Sequence, residues 1–187
     1  GCNNMIMSAV DVPNLSNVTD MDNMFKAAHI FNGNIANWDV SNISNMTGLF
    51  YHAFLFNQDI SAWNVSNVTN MSFMFGSAEA FNQDIGGWNV SSVSNMSNMF
   101  NFAFSFNHQI GNWNVSNVLL MANMFSYAES FNHSLGEWHL NPNVTLGYLI
   151  GNSGMSCSTY SETLIGWQMN NPAITNRNIN VQGVQFG

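Results

Sequence analysis

Charge is what this sequence has least of. Charged residues make up 6% of the 187-residue chain, where an average soluble domain has roughly 25%. Only Lys26 and Arg177 are basic, and the formal net charge is −8. A chain without clustered Lys and Arg cannot release counterions from a phosphate backbone, so electrostatic nucleic-acid binding is excluded. The same deficit argues against docking on an anionic membrane surface. No apolar run approaches the length of about 18 residues that a spanning helix needs, so membrane insertion is not expected. No signal peptide is visible, and the chain opens with Gly1-Cys2 rather than Met. It therefore reads as a processed piece or a segment of something longer. There is no glycine-rich phosphate loop, G-x-S-x-G elbow, H-E-x-x-H or C-x-x-C, so no motif points to an enzyme. Apolar residues stand at an ordinary 46%, which disfavours disorder, and the length suffices for a core of its own. Asparagine fills much of the space left by charge, with 33 copies.

What is present is a repeat. Tryptophan falls at Trp38, Trp63, Trp88, Trp113 and Trp138, 25 residues apart each time. Phe25, Phe50, Phe75, Phe100 and Phe125 keep the same interval, as do Phe31, Phe56, Phe81, Phe106 and Phe131. Ala28, Met21 and Asn32 head three more such series. The unit is approximately N-M-x-x-M-F-x-x-A-x-x-F-N-x-x-I-x-x-W-x-V-S-N-V-x, with no insertion across five copies. A fixed period of this size signifies stacked units, each too small to bury its own apolar side.

Two elements are expected per unit. Met71, Met74, Phe75, Ala78 and Phe81 have spacings of 3 and 4, which suits a short helix, partly 3₁₀, with Ser66 or Thr69 as N-cap. Trp63-Asn64-Val65 alternates, which suits a short strand with Trp and Val inward. Together they predict an α/β repeat solenoid: a right-handed, leucine-rich-repeat-like stack of about five to six units, parallel strands on one face and helices on the other. Trp88 is expected to be buried and stacked between Trp63 and Trp113. Residues 1–20 form a divergent first rung, with Pro13 where Trp should stand. Residues 21–140 are the repeat, and its register is lost after Leu140. Residues 141–187 are a capping segment. In it, Thr159-Tyr160-Ser161-Glu162 reads as a capping box. Tyr160, Leu164 and Trp167 form a helical stripe that stops before Pro172, and Ile179, Val181, Val184 and Phe186 suggest terminal extended pairing.

The units Phe81-Asn82-Gln83-Asp84-Ile85-Gly86-Gly87-Trp88-Asn89-Val90-Ser91 and Asn64-Val65-Ser66-Asn67-Val68-Thr69-Asn70-Met71 resemble BspA-type leucine-rich repeats of bacterial surface proteins. They resemble still more closely the 25-residue repeats of mycoplasma lipoproteins and marine Bacteroidetes proteins. The likeness covers roughly residues 15 to 140, and Tyr160 to Trp167 resembles the closing segment of the Bacteroidetes members. The resemblance implies a secreted or surface-displayed protein used in adhesion or binding, part of a larger multidomain chain. It carries no catalytic motif. Leu119-Leu120 departs from the pattern and is a candidate contact surface.

Other features have plain readings beside the functional ones. Cys2 and Cys157 lie near opposite ends of a stack about 25 Å long, too far for a mutual disulfide, so both thiols are expected free or bridged outside this segment. Asp59 and Asp84 occupy one ladder, a weak Ca²⁺ candidate; the plain alternative is a solvated edge. His108 and His133 occupy the next ladder, and two ligands do not make a metal site. No cofactor is otherwise expected. The asparagine ladders suit amides stacked along the repeat axis. The sequons at Asn42, Asn64, Asn67, Asn70, Asn89 and Asn114 follow from the repeat itself.

The middle residue of W-x-V points away from the core. That places Asp39, Asn64, Asn89, Asn114 and His139 in one outward ladder. Asn37, Ala62, Gly87, Asn112 and Glu137 lie beside it. Small residues at Ala62 and Gly87 leave a dip flanked by amides, which suits an uncharged glycan or an extended peptide. The expected ligand-binding set is therefore Asn37, Asp39, Asn64, Asn89, Asn112, Asn114, Glu137 and His139. The function expected is a non-catalytic extracellular or cell-surface recognition or adhesion module binding protein or glycan. The alternative is a structural spacer or filament block. Ice or mineral binding is weakened by the absence of a repeated T-x-T.

Overall fold

The computed structural model describes residues 12–172. The expected Cys2–Cys157 separation and the extended pairing after residue 173 lie outside them. The 25-residue period stacks as expected, but the α/β architecture does not form. Among the described residues there is no strand and no sheet, and the only helix is α1, Cys157–Asn170. Consecutive units touch through isolated parallel bridges, Asp20 to Asn45 to Asn70 to Asn95 to Leu120 to Thr145. The rest of each unit is a succession of turns.

The stretch expected to be helical shows why. Met74, Gly76, Ala78 and Phe81 each donate their N–H three residues back, to Met71, Phe73, Phe75 and Ala78. The intervening N–H groups of Met71, Phe73, Phe75 and Ser77 donate instead to the next rung, at Asn95, Ser97, Met99 and Asn101 (2.7–3.0 Å). Phe73 and Ser77 have φ of 56° and 54°. Two left-handed residues four apart forbid an α-helix, and each costs a bulky side chain about 1–2 kcal/mol. Their gain is that every second N–H is turned along the stack. A run of such turns repeats apolar positions at 3 and 4, the same spacing a helix gives.

The expected strand fails for a related reason. Trp63 N–H donates to Ile60 and Val68 N–H to Val65, so a turn closes on either side of Trp63-Asn64-Val65. Too little chain remains to pair as a strand. The side-chain alternation survives: Trp63 and Val65 are buried and Asn64 is exposed.

The core is built from columns. Phe25, Phe50, Phe75, Phe100 and Phe125 stack at 5.5–5.7 Å between ring centroids. The second series, Phe31 to Phe131, stacks at 5.9–6.0 Å. Within a rung the two rings lie 3.8–4.2 Å apart. Offset stacking of this kind is worth about 0.5–1.5 kcal/mol per pair beyond burial. Trp88 is buried at 4% exposure, but its ring partner is Phe75 at 6.3 Å, not another tryptophan. Its indole N–H donates to the Ile60 carbonyl of the preceding rung. Trp63, Trp113 and Trp138 do the same to Ile35, Ile85 and Ile110. The Asn32 series forms a ladder along the axis, but of side chain to backbone rather than amide to amide: each Oδ1 accepts the backbone N–H of the Asn one rung on. One inserted residue would break all these bonds together, which accounts for the strict period.

The stacking also outruns the legible repeat. Tyr127 N–H donates to Gly151 and Gly154 N–H to Ala128, so the register continues past Leu140. Helix α1 then substitutes for part of the next rung. Ser156, not Thr159, is its N-cap, accepting from Thr159 N–H. Trp167 donates its indole N–H to Leu135, as the repeat tryptophans do to their isoleucines. Thr163 Oγ1 accepts Leu135 N–H, and Asn171 bridges Leu140 N–H and the Trp138 carbonyl.

Candidate functional site

The turn before each tryptophan determines the surface relief. In the third to fifth rungs its first central residue is Gly86, Gly111 and Gly136. A Cβ at Gly86 would lie 2.5 Å from the Gln109 carbonyl oxygen, at Gly111 3.0 Å from that of Ser134, and at Gly136 2.9 Å from that of Glu162. Glycine here lets the next rung's carbonyl close in. The following position, Gly87, faces open space, with nothing within 4 Å of a Cβ.

The result is a groove of about 770 Å³ that runs along the stack from Asp84 and Gly87 to Glu162 and Gly166 on α1. Gln109, Asn112, Ser134 and Glu137 line it between those ends. A second dip of about 400 Å³ is lined by Asn112, Trp113, Asn114, Ser116, Glu137 and His139. Asp84, Glu137 and Glu162 are the charged residues of these walls, with no Lys or Arg among them. The surface offers amides, hydroxyls and carboxylates to a neutral or cationic ligand and repels phosphates.

All eight candidate ligand-binding residues are exposed. Asn112, Asn114, Glu137 and His139 converge on the second dip, and Asn112 and Glu137 also line the groove. Asn37, Asp39, Asn64 and Asn89 sit on other parts of the surface and line neither. The outward ladder has a structural duty as well. Asn64, Asn89 and Asn114 each accept the backbone N–H two residues on, from Ser66, Ser91 and Ser116. Asp39 does so from Ser41, and the hydrogen bonds from Ser41 hold its carboxyl below the usual carboxylate range. This Asx-turn accounts for the asparagine at these positions, and the Ser91 and Ser116 hydroxyls also donate to Asn89 and Asn114 Oδ1. Replacing Asn64, Asn89 and Asn114 together by Asp keeps the acceptor and should leave the melting temperature near that of the parent. Replacing all three by Ala removes three turn bonds and should cost about 2–3 kcal/mol in urea unfolding.

The metal candidates also have turn roles. Asp59 and Asp84 accept the N–H groups of Ser61 and Gly86, and Asp59 is held low by Ser61. His108 and His133 place Nε2 on the carbonyls of Asn82 and Asn107, where Gln83 reaches the equivalent Asn57 carbonyl. Among the described residues no group of three or more His, Cys, Asp and Glu is placed to hold a metal ion. Leu119 and Leu120 are 42% and 43% exposed. No helix among the described residues is long and apolar enough to cross a membrane.

Sequence reasoning missed Gln109, Ser134, Glu162 and Gly166. The glycines of G-G-W and G-N-W were the available signal for the rung side of the groove. Nothing in the period places helix α1, which supplies the other end.

No curated protein and no solved structure matches the chain. A family model described as "Mycoplasma protein of unknown function, DUF285" matches residues 1–101 and again 60–167. The two matches overlap and together cover most of the repeat and helix α1, so the chain belongs to that family of mycoplasma-type repeat proteins.

Proposed function

We propose that this chain is a non-catalytic recognition module of an extracellular or cell-surface protein, used in adhesion, with a neutral glycan or an extended peptide as its ligand. The finer likeness to BspA-type surface proteins is part of this reading. The observation that carries it is the groove: a long polar trough, floored by backbone at Gly86, Gly111 and Gly136 and edged by amides and carboxylates. Its length along the stack suits an extended ligand, because Gly86, Gly111 and Gly136 repeat the same open backbone floor in three successive rungs. Its carboxylates, with no Lys or Arg beside them, exclude an anionic one.

Gly87 supplies the test. A side chain there enters open space, so Gly87→Trp fills the groove without disturbing the core. The parent chain and the variant are presented to a glycan array and to immobilised extracellular-matrix proteins. The expected result is retention of a neutral glycan or a matrix protein by the parent, reduced at least ~10-fold in a variant that melts at the same temperature; this corresponds to about 1.4 kcal/mol. No ligand on either surface, or equal binding by both proteins, would leave the spacer reading in its place.

A further inference from the structure

Every complete rung holds two residues in the left-handed conformation, four positions apart. Asn23, Gly48, Asn98, Asn123 and Asn152 fill some of these positions, and those residue types adopt positive φ readily. Others carry an aromatic ring: His52, Phe73, Phe102, Tyr127 and Tyr148. A bulky residue at positive φ is a genuine outlier. Burial does not compensate at the outer positions, since Phe102 is 37% and Tyr127 40% exposed. The left-handed backbone itself belongs to the stack, since Phe102 and Tyr127 donate their N–H groups to Ser126 and Gly151 of the next rung; what these two positions add is an aromatic ring on the outer surface.

The rings are also organised. Phe102 and Tyr127 lie parallel, centroids 4.5 Å apart and planes within 3°. Phe104 meets Phe102 edge-on at 6.1 Å. One rung to either side the equivalent residues are Ser77 and Asn152, and neither has a ring to cover the pair's outer faces. Among the described residues the Tyr127 hydroxyl makes no hydrogen bond.

The geometry points to Phe102, Phe104 and Tyr127 as a stacking platform for a neutral pyranose of a polysaccharide. An aromatic face takes the apolar C–H face of a sugar ring, and the Tyr127 hydroxyl is available to a sugar hydroxyl. Phe102 and Tyr127 at this exposure, with the half-buried Phe104 beside them, offer about 200 Å². A stable protein interface needs about 800 Å² from each partner, so one or two sugar units fit the area and a protein does not. Nucleic-acid bases also stack on aromatic rings, but a chain of net charge −8 repels their phosphates. The platform shares no residue with the glycine-floored groove and stands whether or not that groove binds.

The test uses the residue type that other rungs place at left-handed positions. Phe102→Asn with Tyr127→Asn relieves the strain and removes the platform. The full chain, the double variant and Gly87→Trp are run through native gels containing β-1,3-glucan, β-1,4-mannan, xylan or galactan. The expected result is retardation of the parent and of Gly87→Trp by at least one gel. Retardation falls at least ~10-fold in the double variant, whose melting temperature is unchanged or raised. Three results would overturn the inference: no retardation of the parent in any gel, equal retardation of the double variant, or a melting temperature several degrees lower, which would make the rings structural.

Discussion

Trp88→Ala should destabilise the chain by about 3–5 kcal/mol in urea unfolding, the range for truncating a large buried aromatic. Trp88 is buried, and its removal opens a void beside Phe75 in the middle of the stack, where neither end can collapse to fill it. It also leaves the Ile60 carbonyl without its indole donor. Trp88→Phe separates the two effects. The ring stays, the bond goes, and most of the loss should disappear, leaving about 1–2 kcal/mol. Trp63 packs on Phe50 and Trp88 on Phe75, and those two rings stack on each other, so Trp63→Ala and Trp88→Ala should be non-additive, coupled through the phenylalanine column. Units contact only their neighbours, so the unfolding curve of Trp88→Ala should also broaden as the rungs on either side lose cooperativity.

The core was legible and the backbone path was not. A strict 25-residue period gives equivalent residues the same surroundings, so the buried status of Trp88, Phe75, Phe81 and Ala78 follows from the period alone. The secondary structure does not follow. Met71, Met74, Phe75, Ala78 and Phe81 have the spacing of a helix, and a chain of three-residue turns with left-handed residues has it too. Only the φ of Phe73 and Ser77 decides between them, and neither residue type advertises positive φ. Gly48 and Asn23 do at the same positions, and reading them as an aligned column would have warned against the helix. The outward face was legible because alternation around Trp63 and Val65 holds in turns as well as in strands. Convergence was not: Asn112, Asn114, Glu137 and His139 come together because of glycines and a carbonyl in the neighbouring rung. The groove's far end depends on where an aperiodic helix docks.

Gly166→Ala should cost about 2–3 kcal/mol, although alanine is the better helix former by close to 1 kcal/mol. Helix α1 rests on the last repeat backbone to backbone. A Cβ on Gly166 would fall on the Cα, C and O atoms of Gly136. None of these is the end of a flexible side chain, so the helix itself has to lift. The bonds that fasten it then lengthen together: Trp167 to Leu135, Leu135 to Thr163 and Leu140 to Asn171. The amides of Leu135 and Leu140 report this directly, and their hydrogen exchange should accelerate while those of the Met71 to Ser77 turns remain protected. Gly87→Ala is the control, since its Cβ meets nothing within 4 Å. It should be neutral or slightly stabilising through the unfolded chain. If Gly166→Ala melts at or above the parent, α1 is not seated on Gly136, and the groove loses the wall formed by Glu162.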